Sequence, residues 1–151
     1  MPPIGASSSA VAIAPGVHWV GALDPSMRNF DIILRTANGT SYNAYLVRGE
    51  RGVAVIDTVK ESFSGDFFRR LESVADYGEI TTIVLNHLEP DHSGALPELL
   101  RRAPQAQVYL STRAQMMLKA LLKPSGGAPP PYTPVTTGDT IDLGGRTLRF
   151  L

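Results

Sequence analysis

The 151-residue sequence lacks cysteine, a surplus of charge of either sign, and any long apolar run. Without cysteine, disulfide bonds and thiolate metal sites are excluded, so a bound metal ion has to be held by histidine and carboxylate side chains. Fourteen Lys and Arg balance fourteen Asp and Glu, which gives no reason to expect nucleic acid or a membrane as partner. The composition predicts one globular domain, and the lack of cysteine favours a reducing compartment such as the cytoplasm.

The first fifteen residues are mostly small, and Lys and Arg are absent before Arg28. A secretory signal peptide has a positively charged start and a Leu-rich or Val-rich segment, and both features are missing here. We therefore interpret residues 1–15 as a flexible tail and expect the folded part to occupy residues 16–151.

Short apolar runs separated by turn residues come next, at Val17–Gly21, Phe30–Leu34, Tyr42–Val47 and Gly52–Ile56. The dipeptide Asn38-Gly39 between the second and third runs is typical of a two-residue hairpin turn. This spacing predicts an antiparallel β meander in the first third of the chain.

The pattern changes at Ser64 from the period of a strand to that of a helix. Apolar residues at helical spacing predict an amphipathic helix that Gly78 ends: Phe67, Phe68, Leu71, Val74 and Ala75. We then expect a buried strand at Thr81–Leu85, a helix over about Gly94–Arg102, a strand at Gln107–Leu110, and a third helix opened by a Thr112 and Gln115 capping box. Strands that alternate with helices predict an α/β fold.

A segment rich in proline and glycine, Pro124–Pro131, predicts a surface loop or lid. Three short strands are expected after it, at Pro134–Thr137, Thr140–Leu143 and Thr147–Leu151, and Gly144-Gly145 forms the turn between the last two.

One loop concentrates side chains that bind metal ions. Between the buried strand and the second helix lies His87-Leu88-Glu89-Pro90-Asp91-His92, which places two imidazoles and two carboxylates within six residues. At the residue frequencies of this chain, such a hexapeptide arises by chance about once in ten thousand chains. The alternative is a polar loop that caps the helix, but capping requires one such residue and not four. We predict that His87, Glu89, Asp91 and His92 are metal ligands.

This loop resembles the H-x-[EH]-x-D-H motif of the metallo-β-lactamase fold, and Glu89 at its third position is similar to the flavodiiron proteins, since most zinc hydrolases of the fold carry His there. Further segments that resemble flavodiiron proteins are Val17–Gly21, Arg28–Asp31, Gly39–Leu46 and Ile56–Lys60. The resemblance covers about residues 16–151.

The resemblance implies the N-terminal half of an αββα sandwich and a non-haem diiron centre that reduces dioxygen to water or nitric oxide to nitrous oxide. In that family His87 and Glu89 bind one iron, and Asp91 and His92 bind the other; no catalytic residue beyond these ligands is implied. The resemblance also implies FMN on a flavodoxin-like domain, an electron donor such as rubredoxin or a flavin reductase, and a homodimer of the parent protein.

The sequence departs from the family pattern after the metal loop. Family members supply a His, a bridging Asp and a last His further along, whereas His92 is the last histidine here. Asp139 and Asp142 flank a short hairpin, and we interpret them as turn residues. Because Thr147–Leu151 resembles the strand that leads to the next ligand His, we expect the C-terminal half of the domain and the flavodoxin-like domain to be absent from this chain.

Two other functions stay open. A hydrolase with a zinc or dinuclear site would use a metal-bound hydroxide oriented by Asp91, and Glu89 is the feature against it. A fragment with an incomplete metal site would instead serve as an interaction module.

Three further polar residues bear on the site. His18 stands beside Trp19 in a strand, and we expect it to be structural. Asp57 ends a strand near the metal loop, where it either orients a ligand imidazole or caps the following turn. Asp31 occupies a position where many flavodiiron proteins carry a His-Gly-Tyr run, which indicates a variant environment of the metals.

Overall fold

The structure, a computed structural model, describes residues 9–30, 33–122 and 131–151. Its strands are β1 Val11–Ala14, β2 Val17–Trp19, β3 Ala22–Asp24, β4 Asn29–Phe30, β5 Leu34–Arg35, β6 Thr40–Tyr42, β7 Tyr45–Arg48, β8 Val53–Ile56, β9 Ile80–Leu85, β10 Gln107–Ser111, β11 Tyr132–Val135, β12 Thr140–Asp142 and β13 Thr147–Arg149. The helices are α1 Ser64–Glu72, α2 Pro90–Ser93, α3 Leu96–Arg102 and α4 Gln115–Leu122, with 3₁₀ turns at Glu61–Phe63, Tyr77–Glu79 and Thr112–Ala114.

Within these ranges, seven strands form one mixed sheet in the order β1-β2-β7-β8-β9-β10-β11. The pairs from β1 to β8 are antiparallel, and those from β8 to β11 are parallel. Residue Ile83 of β9 lies opposite Val55 on one side and Val108 on the other. The α/β prediction is therefore confirmed, with an antiparallel half that precedes a parallel half along the chain.

Helices α1, α3 and α4 cover one face of this sheet. Phe67 and Leu71 of α1, Leu99 of α3 and Leu118 of α4 are fully buried in the same apolar core as Ile83 of the central strand. The helical period that begins at Ser64 produces this contact, because it places the large apolar side chains of α1 on one side.

The opposite face of the sheet is covered only in part. The hairpin β12–β13 places Leu143 against Val47 and Ala54, which forms a small second core. Tyr45 and Tyr109 lie on the same face, further along the strands, and are only half buried.

The antiparallel meander is confirmed for β2, β7 and β8, but the expected strand Phe30–Leu34 is wrong. Asn29–Phe30 and Leu34–Arg35 pair with each other outside the main sheet. The Asn38-Gly39 turn instead brings β6 against β3. Gly39 has φ +85°, and a Cβ there would lie 2.1 Å from the carbonyl oxygen of Asp24, so this close approach requires glycine.

Several predicted boundaries also change. Residues Val11–Ala14, expected in a flexible tail, form the edge strand β1. Helix α1 ends at Glu72, well before Gly78. The second predicted helix, about Gly94–Arg102, is confirmed as α3, and the short helix α2 that precedes it was not predicted. The third helix is preceded by Ser111, whose Oγ accepts a hydrogen bond from the Ala114 N–H at 3.3 Å, so the Thr112 and Gln115 box is wrong.

None of the helices formed by the described residues has the length and hydropathy needed to cross a membrane. The predicted loop Pro124–Pro131 lies outside the described residues except for Pro131, and Asp31 lies outside them as well.

The 151-residue chain by itself is expected to self-associate. Edge strand β1 exposes Val11 and Ile13, 47% and 56% accessible, and its outer side has no strand partner among the described residues, which favours pairing with another chain. Ile13→Lys places a charge on this edge and should lower the average mass measured by light scattering after gel filtration. A wild-type chain that stays monomeric at high concentration and unfolds in one sharp transition would contradict this expectation.

An ion pair connects β7 to the turn before β9. Arg48 Nη1 donates to Glu79 Oε1 at 2.7 Å, and its Nη2 donates to the Val74 carbonyl at 2.8 Å. The hydrogen bond from Arg48, with a second from the Asp76 N–H, lowers the pKa of Glu79 from 4.5 to about 2.

Glu79→Gln should therefore lower the free energy of unfolding at neutral pH. Because the folded pKa of Glu79 is lowered, its ionised form stabilises the fold above pH 4.5, and this contribution disappears as the pH falls towards about 2. In urea unfolding, the free energies of unfolding of the variant and the wild type should converge as the pH is lowered. Asp66→Asn, which removes an exposed pair within α1, is the control and should change stability by less than about 0.5 kcal/mol.

Candidate metal centre

The predicted metal loop lies where three parallel strands end. β9 ends at Leu85 and leads into residues 86–92, while the neighbouring strands β8 and β10 end at Ile56 and Ser111 on the same edge. In open α/β sheets, ligands bind beyond the carboxyl ends of the strands.

Asp57, the residue after β8, ties this edge together. Its Oδ1 accepts the Asn86 N–H and its Oδ2 accepts the Asn86 side-chain amide, both at 2.8 Å. The residue is only 7% accessible and adopts φ +59°, a left-handed conformation that is costly for residues with a Cβ. Asp57 was predicted either to orient a ligand imidazole or to cap the following turn. Its carboxylate instead binds Asn86, the residue just before His87, so neither role describes these contacts.

The loop is also held through its own backbone. The carbonyl oxygen of His92 accepts hydrogen bonds from the Thr58 N–H at 3.0 Å and the Thr58 hydroxyl at 2.9 Å. The buried Ser93 hydroxyl bridges the carbonyl oxygens of Leu88 and Glu89, 3.0 Å from each. These bonds fix the path of the chain on both sides of α2.

Close packing then places the end of α2 against the segment after β8. A Cβ on Gly94 would lie 2.3 Å from the backbone nitrogen of Glu61, so this contact requires glycine. The Ala95 N–H donates to the Val59 carbonyl at 3.0 Å, which continues the tie between the two segments.

Three of the four predicted ligands lie close together. The imidazole centroids of His87 and His92 are 4.6 Å apart, and His92 Nε2 is 3.6 Å from Asp91 Oδ2. The Glu89 side chain is exposed, and its backbone N–H donates to His87 Nδ1 at 3.4 Å.

A buried nitrogen in this group fits a metal ion. His92 Nδ1 is buried and has no hydrogen-bond partner among the described residues. Buried polar atoms are rarely left without a partner, and an imidazole nitrogen is among the commonest metal ligands in proteins.

Across residues 9–30, 33–122 and 131–151, however, no group of three or more His, Asp or Glu side chains is placed to hold one metal ion. The described residues therefore place fewer ligands around any one point of the loop than a closed single-ion site needs. An ion bound there requires further donors from outside the loop.

A buried acid and phenol were missed by the sequence reasoning. The Tyr42 hydroxyl donates to Asp24 Oδ2 at 3.2 Å, and Asp24 Oδ1 accepts from the Ser26 backbone and hydroxyl and from the Met27 N–H. Burial raises the pKa of Tyr42 to about 12, helped by the charges of Asp24 and Asp91. Burial opposes the ionisation of Asp24, but the hydrogen bonds from Ser26 and Tyr42 outweigh it and lower the pKa. No motif in the sequence indicates this pair, because Asp24 and Tyr42 are 18 positions apart and meet only when β3 pairs with β6.

Of the remaining predicted residues, two make turn contacts and His18 lies away from the metal loop. Asp139 accepts the Thr136 N–H at 2.7 Å and Asp142 accepts the Gly144 N–H at 2.8 Å, which confirms both as turn residues. His18 lies in β2, away from the loop in the sheet order, and its Nδ1 is buried without a partner among the described residues.

Comparisons with known proteins agree on one superfamily. A family model described as the metallo-beta-lactamase superfamily matches residues 37–151. The Type A flavoprotein fprA of Rhodobacter capsulatus is 65% identical over 149 residues, which are 99% of this chain and 34% of that protein. Other relatives carry the names nitric oxide reductase and coenzyme F420H(2) oxidase.

Solved structures give the same result. Rubredoxin oxygen:oxidoreductase of Desulfovibrio gigas matches with a TM-score of 0.81 and 37% identity, over 92% of this chain and 34% of that one. The flavodiiron protein of Giardia intestinalis matches with a TM-score of 0.82 and 30% identity, over 93% and 33%. The chain thus spans about a third of the length of the curated relatives it matches.

Removing the Asp57 carboxylate should loosen the metal loop. Asp57→Ala loses both bonds to Asn86 and keeps a Cβ at positive φ, so we expect a loss of about 2–4 kcal/mol in the free energy of unfolding, measured with urea. Asp57→Asn tolerates this conformation and retains an acceptor for the Asn86 N–H, so its loss should be smaller. Equal stability of the two variants would show that the bonds to Asn86 do not hold the loop.

Proposed function

Because the chain belongs to the metallo-beta-lactamase superfamily and is similar to flavodiiron proteins over nearly its whole length, we propose that it is part of an enzyme that reduces dioxygen to water or nitric oxide to nitrous oxide at a non-haem diiron site. The observation that carries this proposal is the loop after β9, which presents two imidazoles and two carboxylates, with Glu89 where hydrolases of the fold have His.

The four side chains act as two pairs of ligands. His87 and Glu89 bind one iron, and Asp91 and His92 bind the other. This division agrees with the absence, among the described residues, of three ligands around a single point. The partnerless His92 Nδ1 and the fixed carbonyl of the same residue support a rigid imidazole at the second position. The further ligands come from protein outside this chain.

A carboxylate ligand suits iron that changes oxidation state. Glu89 brings a hard, anionic donor, which favours ferric iron more than an imidazole does, whereas His at this position suits zinc. When bound, two ferrous irons would supply two electrons, one from each ion, which balances the coupling of two NO molecules to N2O. Reduction of O2 to water needs four, so the second pair would come from the electron donor.

The remaining parts of the proposal follow from the relatives. A relative named rubredoxin oxygen:oxidoreductase supports rubredoxin as an electron donor, with a flavin reductase as the other candidate. FMN on a flavodoxin-like domain outside this chain carries the electrons to the iron. We further propose a homodimer of the parent protein and a cytoplasmic location.

Metal analysis of two proteins tests the site. The 151-residue chain and a longer protein that extends it are loaded anaerobically with ferrous iron and measured by elemental analysis and visible spectroscopy. We expect about two irons only in the longer protein, because this chain supplies two ligands to each ion. Tight zinc binding by the chain alone, with iron rejected, would favour the hydrolase instead, and no binding by either would favour a module without catalysis.

Replacing Glu89 in the longer protein tests the function. Glu89→Ala should reduce iron content and lower gas reduction by at least about a hundredfold, because the site loses a direct ligand. Glu61→Ala, which removes a nearby exposed carboxylate, is the matched control and should leave turnover unchanged. Normal turnover in the Glu89 variant would contradict the ligand assignment.

A further inference from the structure

Helix α4 presents an apolar stripe to solvent. Met116 and Met117 are 77% and 48% accessible, whereas Leu118 beside them is fully buried. Position 113 is three or four residues from 116 and 117, and these are three or four residues from 120. All four positions therefore lie on one side of the helix and of the turn before it. Ala120 completes the apolar stripe and Arg113 stands at its N-terminal end; both are exposed. Leu118 packs in the core on the buried side of α4, whereas Met116 and Met117 are not part of the core formed by the described residues.

Unpaired positive charges border this stripe. Arg113 and Lys119 are exposed, and neither forms an ion pair within the part of the chain that the structure describes. Arg101 and Arg102 of the preceding helix are paired with Glu98 and Glu72. The positive charge near the stripe that lacks an acidic partner among the described residues therefore comes from Arg113 and Lys119.

The stripe begins at the same edge of the sheet as the candidate metal loop. Leu110 of β10 lies opposite Leu85 of β9, so the turn that opens α4 starts next to residues 86 and 87. A molecule bound along this helix would therefore lie beside the edge that carries the loop.

We propose that Arg113, Met116, Met117 and Lys119 form a docking surface for an acidic protein segment that places an apolar side chain against the two methionines. Charge complementarity selects the acidic partner, because carboxylates supply the ion pairs that Arg113 and Lys119 lack. Methionine is flexible and polarizable, and it is common at binding surfaces that adapt to a partner. An apolar centre with a charged rim is the usual arrangement of a protein–protein interface.

Other anionic partners fit this surface less well. Nucleic acids are held by about six to ten phosphate contacts, and anionic membranes by clusters of about four to eight Lys or Arg. Two exposed cations around an apolar centre offer too few contacts for either. A protein segment makes use of both the charges and the methionines.

Binding of a labelled peptide tests the surface on metal-free protein, so its result is independent of the proposed redox function. The probe is a short fluorescein-labelled peptide of Asp and Glu with two Leu residues one helical turn apart, measured by fluorescence anisotropy. We expect saturable binding that weakens with salt. Arg113→Glu with Lys119→Glu should weaken it about tenfold or more, and Met116→Ser with Met117→Ser should weaken it about threefold to tenfold.

A matched variant separates this surface from a general effect of charge. Arg35→Glu with Arg149→Glu reverses two exposed arginines outside α4 and changes the net charge by the same amount, so binding should be unchanged. All variants are at exposed positions, and circular dichroism checks their folding. The proposal is overturned by three results: no saturable binding of the peptide, equal weakening by the control variant, or binding of anionic phospholipid vesicles without binding of the peptide.

Discussion

The carboxylate of Asp57 accepts two hydrogen bonds from Asn86, and the candidate site depends on this pair. One oxygen fixes the backbone at the end of β9 and the other fixes the side chain of the same residue. Because β8 and β9 are parallel neighbours, the bonds bring their two following loops into one rigid edge. His87 then starts from a fixed point, and Thr58 holds the far side of the loop at the His92 carbonyl.

Different residues of the loop fix its backbone and carry its candidate ligand side chains. Leu88 packs in the apolar core, Ser93 donates a buried hydrogen bond to the Leu88 carbonyl, and the exposed Asn86 is held by its part-buried bonds to Asp57. The residues between them carry the imidazoles and carboxylates. Because these hydrogen bonds fix the backbone of the loop, its candidate ligand side chains do not have to hold the loop in place. Such an arrangement is compatible with the proposed site, which needs donors from a further segment.

Much of this architecture follows from local patterns, and the rest depends on contacts distant in sequence. Buried strand β9 and helix α1 were predictable from the sequence pattern, and the clustering of His, Glu and Asp in the loop is visible from composition alone, although their role as ligands stays a prediction. The pairing of β3 with β6 was not, because it rests on the approach of Gly39 to Asp24, and an Asn-Gly dipeptide is equally typical of a local hairpin. The helix cap at Ser111 was missed by one residue, since Ser and Thr cap equally well.

The left-handed conformation of Asp57 also sets an order of assembly. Asp57 and Asn86 are 29 positions apart, so during synthesis the strained residue emerges well before the partner that compensates it. Until β9 crosses over and pairs beside β8, nothing holds that backbone in its native state. The edge that carries the candidate ligands therefore becomes rigid only after β9 has paired beside β8, and a metal ion can meet this loop in its native form only from that point on.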